Sequence, residues 1–300
     1  MEEPIKEICN VADALDIEKY YISQIKNETD YSTFFRGENN ILTNNKERTE
    51  STASLFREDV TNYKNESNYI ENIISGKDSR SFETLPDYMS KIAKIQHYGG
   101  RTRLLDFSEC FWIALFFACY SSDDNTKNSD GLIYHFKTDC LDFTTSDKDN
   151  YRKKILEDYI RYSGNTFTEF NEWIKVEENQ YQKTAEEIQQ LISKHHFIKI
   201  IPSSVRMKNQ KGLFLWMGET KFSDNPILLD GIKSKPSGIT IHYGRGQNYQ
   251  GKVGYVKVKS SVKKDILNYL QKEHGIDEEF IFAEEGFDKN LEDYIRSFKI

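Results

Sequence analysis

The run at residues 96–120, QHYGGRTRLLDFSECFWIALFFACY, constrains the fold more than any other part of the chain. Glycines at positions 99 and 100 interrupt it, residues 102–107 predict a short strand, and residues 109–120 predict a helix. That helix is apolar on every side, which is typical of a fully buried helix. Polar residues this close to a core must satisfy one another or bind a ligand. The run therefore predicts a buried helix with candidate site residues beside it.

Apolar and alternating patterns along the chain predict one central sheet. The predicted strands lie near residues 31–36, 102–107, 132–137, 197–201, 213–217 and 253–259. Helical patterns lie between them, including residues 88–95, for which Asp87 is a suitable N-cap. We expect an α+β fold, with a mixed sheet of five or six strands and helices packed around it. Residues 280–282 predict a further short strand.

The domain organisation is predicted to be simple. No Pro/Gly/Ser-rich linker divides the 300 residues, so we expect a single domain over residues 1–300. Residues 141–195 hold mostly charged helical patterns and predict a helical insertion on the surface of that domain.

Composition argues against several kinds of partner. The net charge is −7 and the basic residues are scattered, so we expect no broad nucleic-acid surface, although a local basic pocket is compatible with this charge. The longest apolar run, about ten residues, is shorter than the ~20 needed to span a bilayer. No secretory signal pattern begins the chain, and the four cysteines show no metal-binding spacing. We expect a cytoplasmic protein with no membrane span and no metal.

Arg36 is the first candidate site residue along the chain. It ends a predicted strand and is followed by Gly37, which would let a ligand approach the backbone. A guanidinium in this position suits a phosphate or carboxylate. The alternative is an arginine paired with a buried acid, because structural ion pairs place arginines in similar positions.

The TRLLDFS segment within the opening run offers further candidates, each with a structural alternative. Arg103 and Asp106 could form a mutual ion pair that fixes the start of the buried helix, or could contact a ligand. Ser108 could cap that helix or contact a ligand, and Asp106 could also serve as the cap.

Four separated motifs resemble the FRG-domain family. They are FFRGE at 34–38, QHYGGRTRLLDFS…ALFFA at 96–118, RMKNQKGLF at 206–214 and GIDEEFIFAEE at 275–285. The resemblance extends over about residues 8–297. Two positions depart from the family pattern, since Arg101 and Ala283 stand where members often have proline.

The resemblance carries implications for function. FRG-domain proteins occur in bacteria and their phages, often in contexts suggestive of phage defence. The order of the motifs is similar to that of ADP-ribosyltransferases, in which a strand ending in Arg-Gly contacts NAD, a buried helix follows a strand with hydroxyl residues, and a late strand carries the catalytic Glu. This similarity implies NAD as co-substrate, bound by Arg36, Gly37, His97, Tyr98, Arg103 and Ser108.

The same similarity implies a set of catalytic residues. Cleavage of the glycosidic bond of NAD creates an oxocarbenium-like centre that a carboxylate must stabilise. Glu284 is the first candidate for this carboxylate and Asp106 is the second, while Gln210 could position the acceptor. If this site exists, Arg36, His97 and Glu284 should lie within one ligand's length of each other.

Three classes of function remain open from the sequence. The first is an ADP-ribosyltransferase-like, NAD-consuming effector of a phage-defence or toxin system, with an unknown protein or nucleic-acid acceptor. The second is a non-catalytic module that binds a nucleotide or a protein through the same pocket. The third is a nuclease or RNA-binding effector, which the acidic net charge and the lack of a metal-ligand motif disfavour.

Overall fold

A computed structural model describes residues 7–27, 32–40, 48–51, 53–56, 65–76, 79–122, 128–138, 140–144, 150–164, 167–177, 183–218, 228–229, 232–235, 238–242, 248–249, 251–283 and 288–298. The strands are β1 Glu7–Ile8, β2 Ser32–Glu38, β3 Arg48–Ser51, β4 Leu104–Ser108, β5 Gly131–Thr138, β6 Leu141–Asp142, β7 His196–Lys199, β8 Gly212–Trp216, β9 Leu228–Leu229, β10 Ile232–Lys235, β11 Gly238–His242, β12 Asn248–Tyr249 and β13 Gly251–Val258. The helices are α1 Val11–Asn27, α2 Glu66–Ser75, α3 Arg80–Glu83, α4 Tyr88–His97, α5 Phe111–Cys119, α6 Asn150–Arg161, α7 Phe167–Glu177, α8 Ala185–Ser193, α9 Val205–Asn209, α10 Lys263–Tyr269, α11 Glu278–Ile281 and α12 Lys289–Ser297. None of the described helices is both long enough and apolar enough to cross a membrane.

The central sheet is mixed, as predicted. Its strands follow the order β1-β13-β5-β2-β4-β8-β7-β6, and β12 pairs with β13. The inner pairs are antiparallel, whereas β1 with β13 and β6 with β7 are parallel. All six strands predicted from the sequence lie in this sheet, and the α+β fold class is confirmed. A second sheet, in the order β3-β11-β10-β9, was not predicted.

The predicted strand at residues 280–282 is wrong, because residues 278–281 form the short helix α11. The apolar FIF sequence favours a strand. However, the Asp277 side chain caps the helix by accepting a hydrogen bond from the Phe280 N–H at 2.9 Å. Asp277 is followed by two glutamates, and acidic residues stabilise the first turn of a helix. Local capping therefore outweighs strand propensity here.

The buried helix α5 packs directly on the backbone of the sheet. A Cβ atom on Gly37 of β2 would lie 1.8 Å from the carbonyl oxygen of Ala114, and one on Gly131 of β5 would lie 2.1 Å from that of Ala118. The two alanines are four residues apart and share one face of the helix. Because these two glycines carry no side chain, α5 can approach β2 and β5 closely at both positions.

The segment at 141–195 is helical, but its expected surface position is wrong for α6. Ile155, Leu156, Tyr159 and Ile160 are all buried. They share one apolar cluster with α4 and with Trp216 of β8. Residues 155–160 are all buried, and Glu157 among them accepts a hydrogen bond from the Met89 N–H at 2.8 Å. The charged pattern of α6 therefore did not reveal that this part of the helix lies in the core.

A fully buried ion pair joins α2 to the sheet. Arg103 and Glu66 have no exposed side-chain surface, and Arg103 Nε donates to Glu66 Oε1 at 2.8 Å. The same guanidinium donates from Nη1 to the Met217 carbonyl at 3.1 Å and lies 4.8 and 4.7 Å from the ring centroids of Tyr159 and Trp216. The alternative of a mutual Arg103–Asp106 pair is wrong, since residues three apart on an extended chain point to opposite faces.

The buried pair yields a stability prediction. Glu66→Gln leaves the Arg103 charge buried without its counter-ion, so we expect the free energy of unfolding to fall by about 3–5 kcal/mol. Urea unfolding followed by tryptophan fluorescence measures this change. Asp16→Asn is the matched control, because Asp16 pairs with Lys19 on the surface and should cost about 1 kcal/mol or less. Equal effects of the two substitutions would contradict a structural role for the buried pair.

The packing of α5 yields a second stability prediction. Gly37→Ala should lower the free energy of unfolding by about 1–3 kcal/mol, because the new methyl group meets the α5 backbone, which cannot move aside as a side chain can. Gly212→Ala is the control, since the nearest atom to its Cβ would lie at an ordinary 3.5 Å. Thermal unfolding of both variants checks this, and a Gly37→Ala variant as stable as Gly212→Ala would refute the close approach.

Candidate ligand-binding site

A cleft of about 280 Å³ opens where β2 and β4 separate. The strand β2 pairs with β5 from Ser32 to Glu38, and β4 pairs with β8 along its whole length. Among the described residues, β2 and β4 share the single pair Phe35–Ser108. The cleft is lined by Phe35, Arg36, Gly37, Ala93, Gln96, His97, Asp106, Phe107, Ser108, Ile113, Ala114, Phe117, Arg206, Met207, Gln210 and Phe214.

The structure brings most of the predicted site residues to this one cleft. Those that line it are Arg36, Gly37, His97, Asp106, Ser108 and Gln210. They come from β2, from the end of α4, from β4 and from the turn after α9. Residues that are more than a hundred positions apart in the sequence therefore share a single concave surface.

The remaining predicted residues do not line the cleft or cannot be placed. Arg103 is committed to Glu66 in the core. Tyr98 is buried at the end of α4, and its hydroxyl accepts a hydrogen bond from the Asp288 N–H at 3.2 Å. We therefore assign packing roles to Arg103 and Tyr98. Glu284 lies outside the described residues.

Arg36 spans the gap between the two strands. Its Nη1 donates to the main-chain carbonyl of Asp106 at 2.9 Å, and its Nε donates to Glu38 Oε1 at 3.0 Å. Glu38 also accepts a hydrogen bond from the Tyr134 hydroxyl at 3.2 Å. Arg36 is therefore paired with an acid, as the alternative interpretation expects. The same contacts hold its guanidinium on the wall of the cleft.

Gly37 serves the packing of α5. Its missing side chain faces the Ala114 carbonyl, so the close approach at this glycine is made by the helix. The expectation that Gly37 admits a ligand to the backbone has a simpler explanation in this contact, although Gly37 does border the cleft.

A chain of hydrogen bonds orients the carboxylate of Asp106. Gln96 Nε2 donates to Asp106 Oδ1 at 2.8 Å, and the Thr102 hydroxyl donates to Gln96 Oε1. The same Thr102 oxygen accepts from the Leu104 N–H at 3.2 Å. Gln96 therefore holds one oxygen of the Asp106 carboxylate, and Thr102 in turn orients the Gln96 side chain.

Ser108 and Gln210 join β4 to the segment after α9. The Ser108 hydroxyl donates to the Gln210 carbonyl at 2.7 Å and accepts from the Cys110 N–H at 3.0 Å. Cys110 occupies the N-cap position of α5, so Ser108 supports the helix start from two residues earlier. Gln210 Nε2 donates to the Ile281 carbonyl at 3.1 Å, which links this corner to α11.

Two polar lining residues, Gln96 and Arg206, were not assigned a site role from the sequence. Both lie inside the quoted motifs, Gln96 at the start of QHYGG and Arg206 at the start of RMKNQKGLF. Their position within these motifs was therefore visible in the sequence. It did not distinguish a residue with a structural role from one that faces the cleft. For Arg206 the decisive information is that α9 packs against β8 and α11, beside the cleft.

His97 carries a neutral imidazole at neutral pH. Its pKa is lowered from 6.5 to about 4, chiefly by partial burial and then by the charges of Arg206 and Lys94, while the charge of Asp106 opposes the shift. A neutral imidazole offers one donor and one acceptor. Such a pair suits hydroxyl groups of a ligand better than it suits a second anion.

The cleft thus combines two guanidinium groups, one carboxylate, a neutral imidazole and amide side chains, with the half-buried ring of Phe117 on its wall. Among the residues that the structure describes, no group of three or more His, Cys, Asp or Glu side chains could hold a metal ion.

An α+β domain with a polar, arginine-bearing cleft at a split in its sheet is the class of protein that these observations define. Residues 31–127 match the family model of the FRG domain. The chain therefore contains an FRG domain, as the motifs at 34–38 and 96–118 predict. The match includes all the predicted cleft residues except Gln210. No match was found among curated proteins or among solved structures.

The lowered pKa of His97 leads to a titration prediction. In NMR spectra the His97 ring should titrate near pH 4. Arg206→Gln should raise this pKa, and Asp106→Asn should lower it, because each removes one charge.

The effect on stability follows from the same shift. Because the pKa is lower in the folded state than in the unfolded state, neutral His97 favours folding fully above about pH 6.5. This contribution falls as the pH drops from about 6.5 towards 4. A titration midpoint near pH 6.5 in the folded protein would contradict the described environment.

Proposed function

We propose that the cleft of this FRG domain binds NAD and that the protein is an ADP-ribosyltransferase-like effector. Its setting, following the family resemblance, is bacterial phage defence or a toxin system, with a protein or nucleic acid as acceptor. The observation that carries the proposal is the meeting of Arg36, neutral His97 and Asp106 on one cleft. Arg36 suits a phosphate, neutral His97 suits ribose hydroxyls, and Asp106 suits a developing positive charge.

Binding of the substrate follows from the fixed groups on the wall. Arg36 is held by Glu38 and by the Asp106 carbonyl, so little side-chain freedom is lost when it contacts a phosphate oxygen. His97 can donate to one ribose hydroxyl and accept from another. The ring of Phe117 offers a face for the nicotinamide or for the adenine.

The size of the cleft fits part of a dinucleotide. A volume of about 280 Å³ is slightly below the usual range of roughly 300–1,000 Å³ for ligand pockets. One half of NAD and its adjoining phosphates would be enclosed, while the other half would lie towards solvent. This arrangement leaves the reacting carbon accessible to an acceptor.

The chemical step assigned to the cleft is heterolysis of the nicotinamide–ribose bond. The bonding electron pair leaves with nicotinamide, the ribose C1′ becomes oxocarbenium-like, and the acceptor attacks C1′ and loses its proton. Asp106 would stabilise the positive charge, with its carboxylate oriented by Gln96. Among the described lining residues it is the sole carboxylate.

A second candidate function is a non-catalytic nucleotide-binding module. It is favoured by the hydrogen bonds of Gln210. The Gln210 side-chain amide donates to the Ile281 carbonyl, and the Gln210 main-chain carbonyl accepts from the Ser108 hydroxyl. Gln210 therefore has a structural task in addition to any contact with an acceptor. A cleft that holds a nucleotide to stabilise this corner would need no chemistry.

One experiment separates the two functions. Purified protein is incubated with NAD, nicotinamide release is measured, and NAD affinity is determined by calorimetry. We expect Arg36→Gln to weaken NAD binding about tenfold, because it removes a charge-assisted hydrogen bond. Asp106→Asn should lower nicotinamide release about 100-fold with a smaller effect on affinity.

Lys208→Gln removes an exposed charge from α9 that does not line the cleft, and it should change neither quantity. NAD binding without nicotinamide release, by wild type in the presence of cell lysate, would favour the binding module. Equal release by wild type and Asp106→Asn would remove Asp106 from the chemistry.

A further inference from the structure

We propose that Arg206 is a second phosphate-binding residue, and that with Arg36 it makes the cleft selective for ligands carrying two linked phosphates. The inference rests on the proposed nucleotide-binding function and goes beyond it by naming the ligand class and the residue that selects it. Arg206 lines the same cleft as Arg36, but it lies on α9 whereas Arg36 lies on β2.

The position of Arg206 is fixed by its own helix and by a ring. Ser204 caps α9 by accepting from the Met207 N–H at 3.1 Å, and Met207 is buried against the core. The guanidinium carbon of Arg206 lies 5.0 Å from the ring centroid of Phe282. A cation above an aromatic ring is attracted to the face of the ring, so this contact helps to hold the Arg206 guanidinium in place.

The helix that carries Arg206 is tied down at its other end. Asn209 Nδ2 donates to the Phe280 carbonyl at 2.8 Å, and Gln210 Nε2 donates to the Ile281 carbonyl at 3.1 Å. These two bonds connect α9 to α11, and Ser108 connects the same turn to β4. Hydrogen bonds therefore hold α9 at both of its ends, which favours a precise position for Arg206.

Two arginines give the cleft charged donors for phosphate oxygens. The lining residues that the structure describes include Arg36, Arg206 and one aspartate, while His97 is neutral. Glu38 pairs with Arg36, so the two guanidinium groups contribute directed hydrogen bonds rather than a large net positive charge. Arg206 and Asp106 both act on the pKa of His97, which places these three side chains close together.

The chemistry of arginine explains why two of them select a diphosphate. A guanidinium donates planar, charge-assisted hydrogen bonds to the oxygens of a phosphate group. In the proposed binding mode a monophosphate contacts one of the two arginines, whereas a diphosphate contacts both through neighbouring phosphorus centres. In that mode the second arginine adds affinity only for the linked pair.

Calorimetric titration with ADP, AMP and inorganic pyrophosphate tests this inference. We expect wild type to bind ADP at least about tenfold more tightly than AMP. Arg206→Met should remove most of that preference by weakening ADP and pyrophosphate about tenfold while changing AMP less. Arg206→Lys keeps the charge without the fork and should restore only part of the preference.

The control is Lys208→Met, a basic residue on the same helix that is exposed and does not line the cleft. Thermal unfolding of each variant confirms that it is folded. Equal affinities of wild type for ADP and AMP, or the same ADP affinity in Arg206→Met and Lys208→Met, would overturn the inference.

The outcome can be told apart from that of the proposed function. If ADP and pyrophosphate bind through Arg206 but NAD is neither bound nor consumed, diphosphate selectivity stands and the NAD proposal fails. If NAD is consumed equally by wild type and Arg206→Met, and both prefer ADP to AMP equally, the NAD proposal stands and Arg206 is not the selective residue.

Discussion

The buried charge of Arg103 governs how the elements around the cleft are assembled. An arginine with no exposed surface stays protonated, so its burial requires a counter-ion and acceptors for its donors. Glu66, the Met217 carbonyl and the rings of Tyr159 and Trp216 meet these requirements. Because the partners belong to α2, to α6 and to the end of β8, one side chain joins three separate parts of the chain. It does so immediately before β4, which carries Asp106 and Ser108 to the cleft.

The cleft lies between β2 and β4, each of which pairs more extensively with another strand than with its neighbour across the cleft. β2 is held by β5 and by the close contact of Gly37 with α5, while β4 is held by β8. Between them one pair of residues bridges the described strands, and the Arg36 side chain replaces part of the missing ladder by donating to the Asp106 carbonyl. A main-chain acceptor is thereby satisfied, and a positive charge is fixed at the opening.

The role of the TRLLD segment illustrates how structure and function share one motif. Thr102, Arg103 and Asp106 lie within five residues, yet Arg103 serves the core while Asp106 faces the cleft. Thr102 is fully buried, but it acts on the cleft through Gln96. Such a motif supports the fold and the candidate site at once, which is why its residue types alone could not separate the two.

The sequence by itself determined the central strands, the buried helix, the Asp87 cap and the FRG motifs, because these depend on local periodicity, capping and composition. The Asp87 cap, for example, is present as a hydrogen bond from the Ser90 N–H to Asp87 Oδ1 at 2.7 Å. Most of the polar residues of the cleft could also be named, since they stood near the ends of predicted strands, helices and turns. Only the tertiary structure decided that Arg103 pairs with Glu66, that α6 lies in the core and that Arg206 reaches the cleft. Each of these depends on contacts between residues far apart in the chain, which no local pattern encodes.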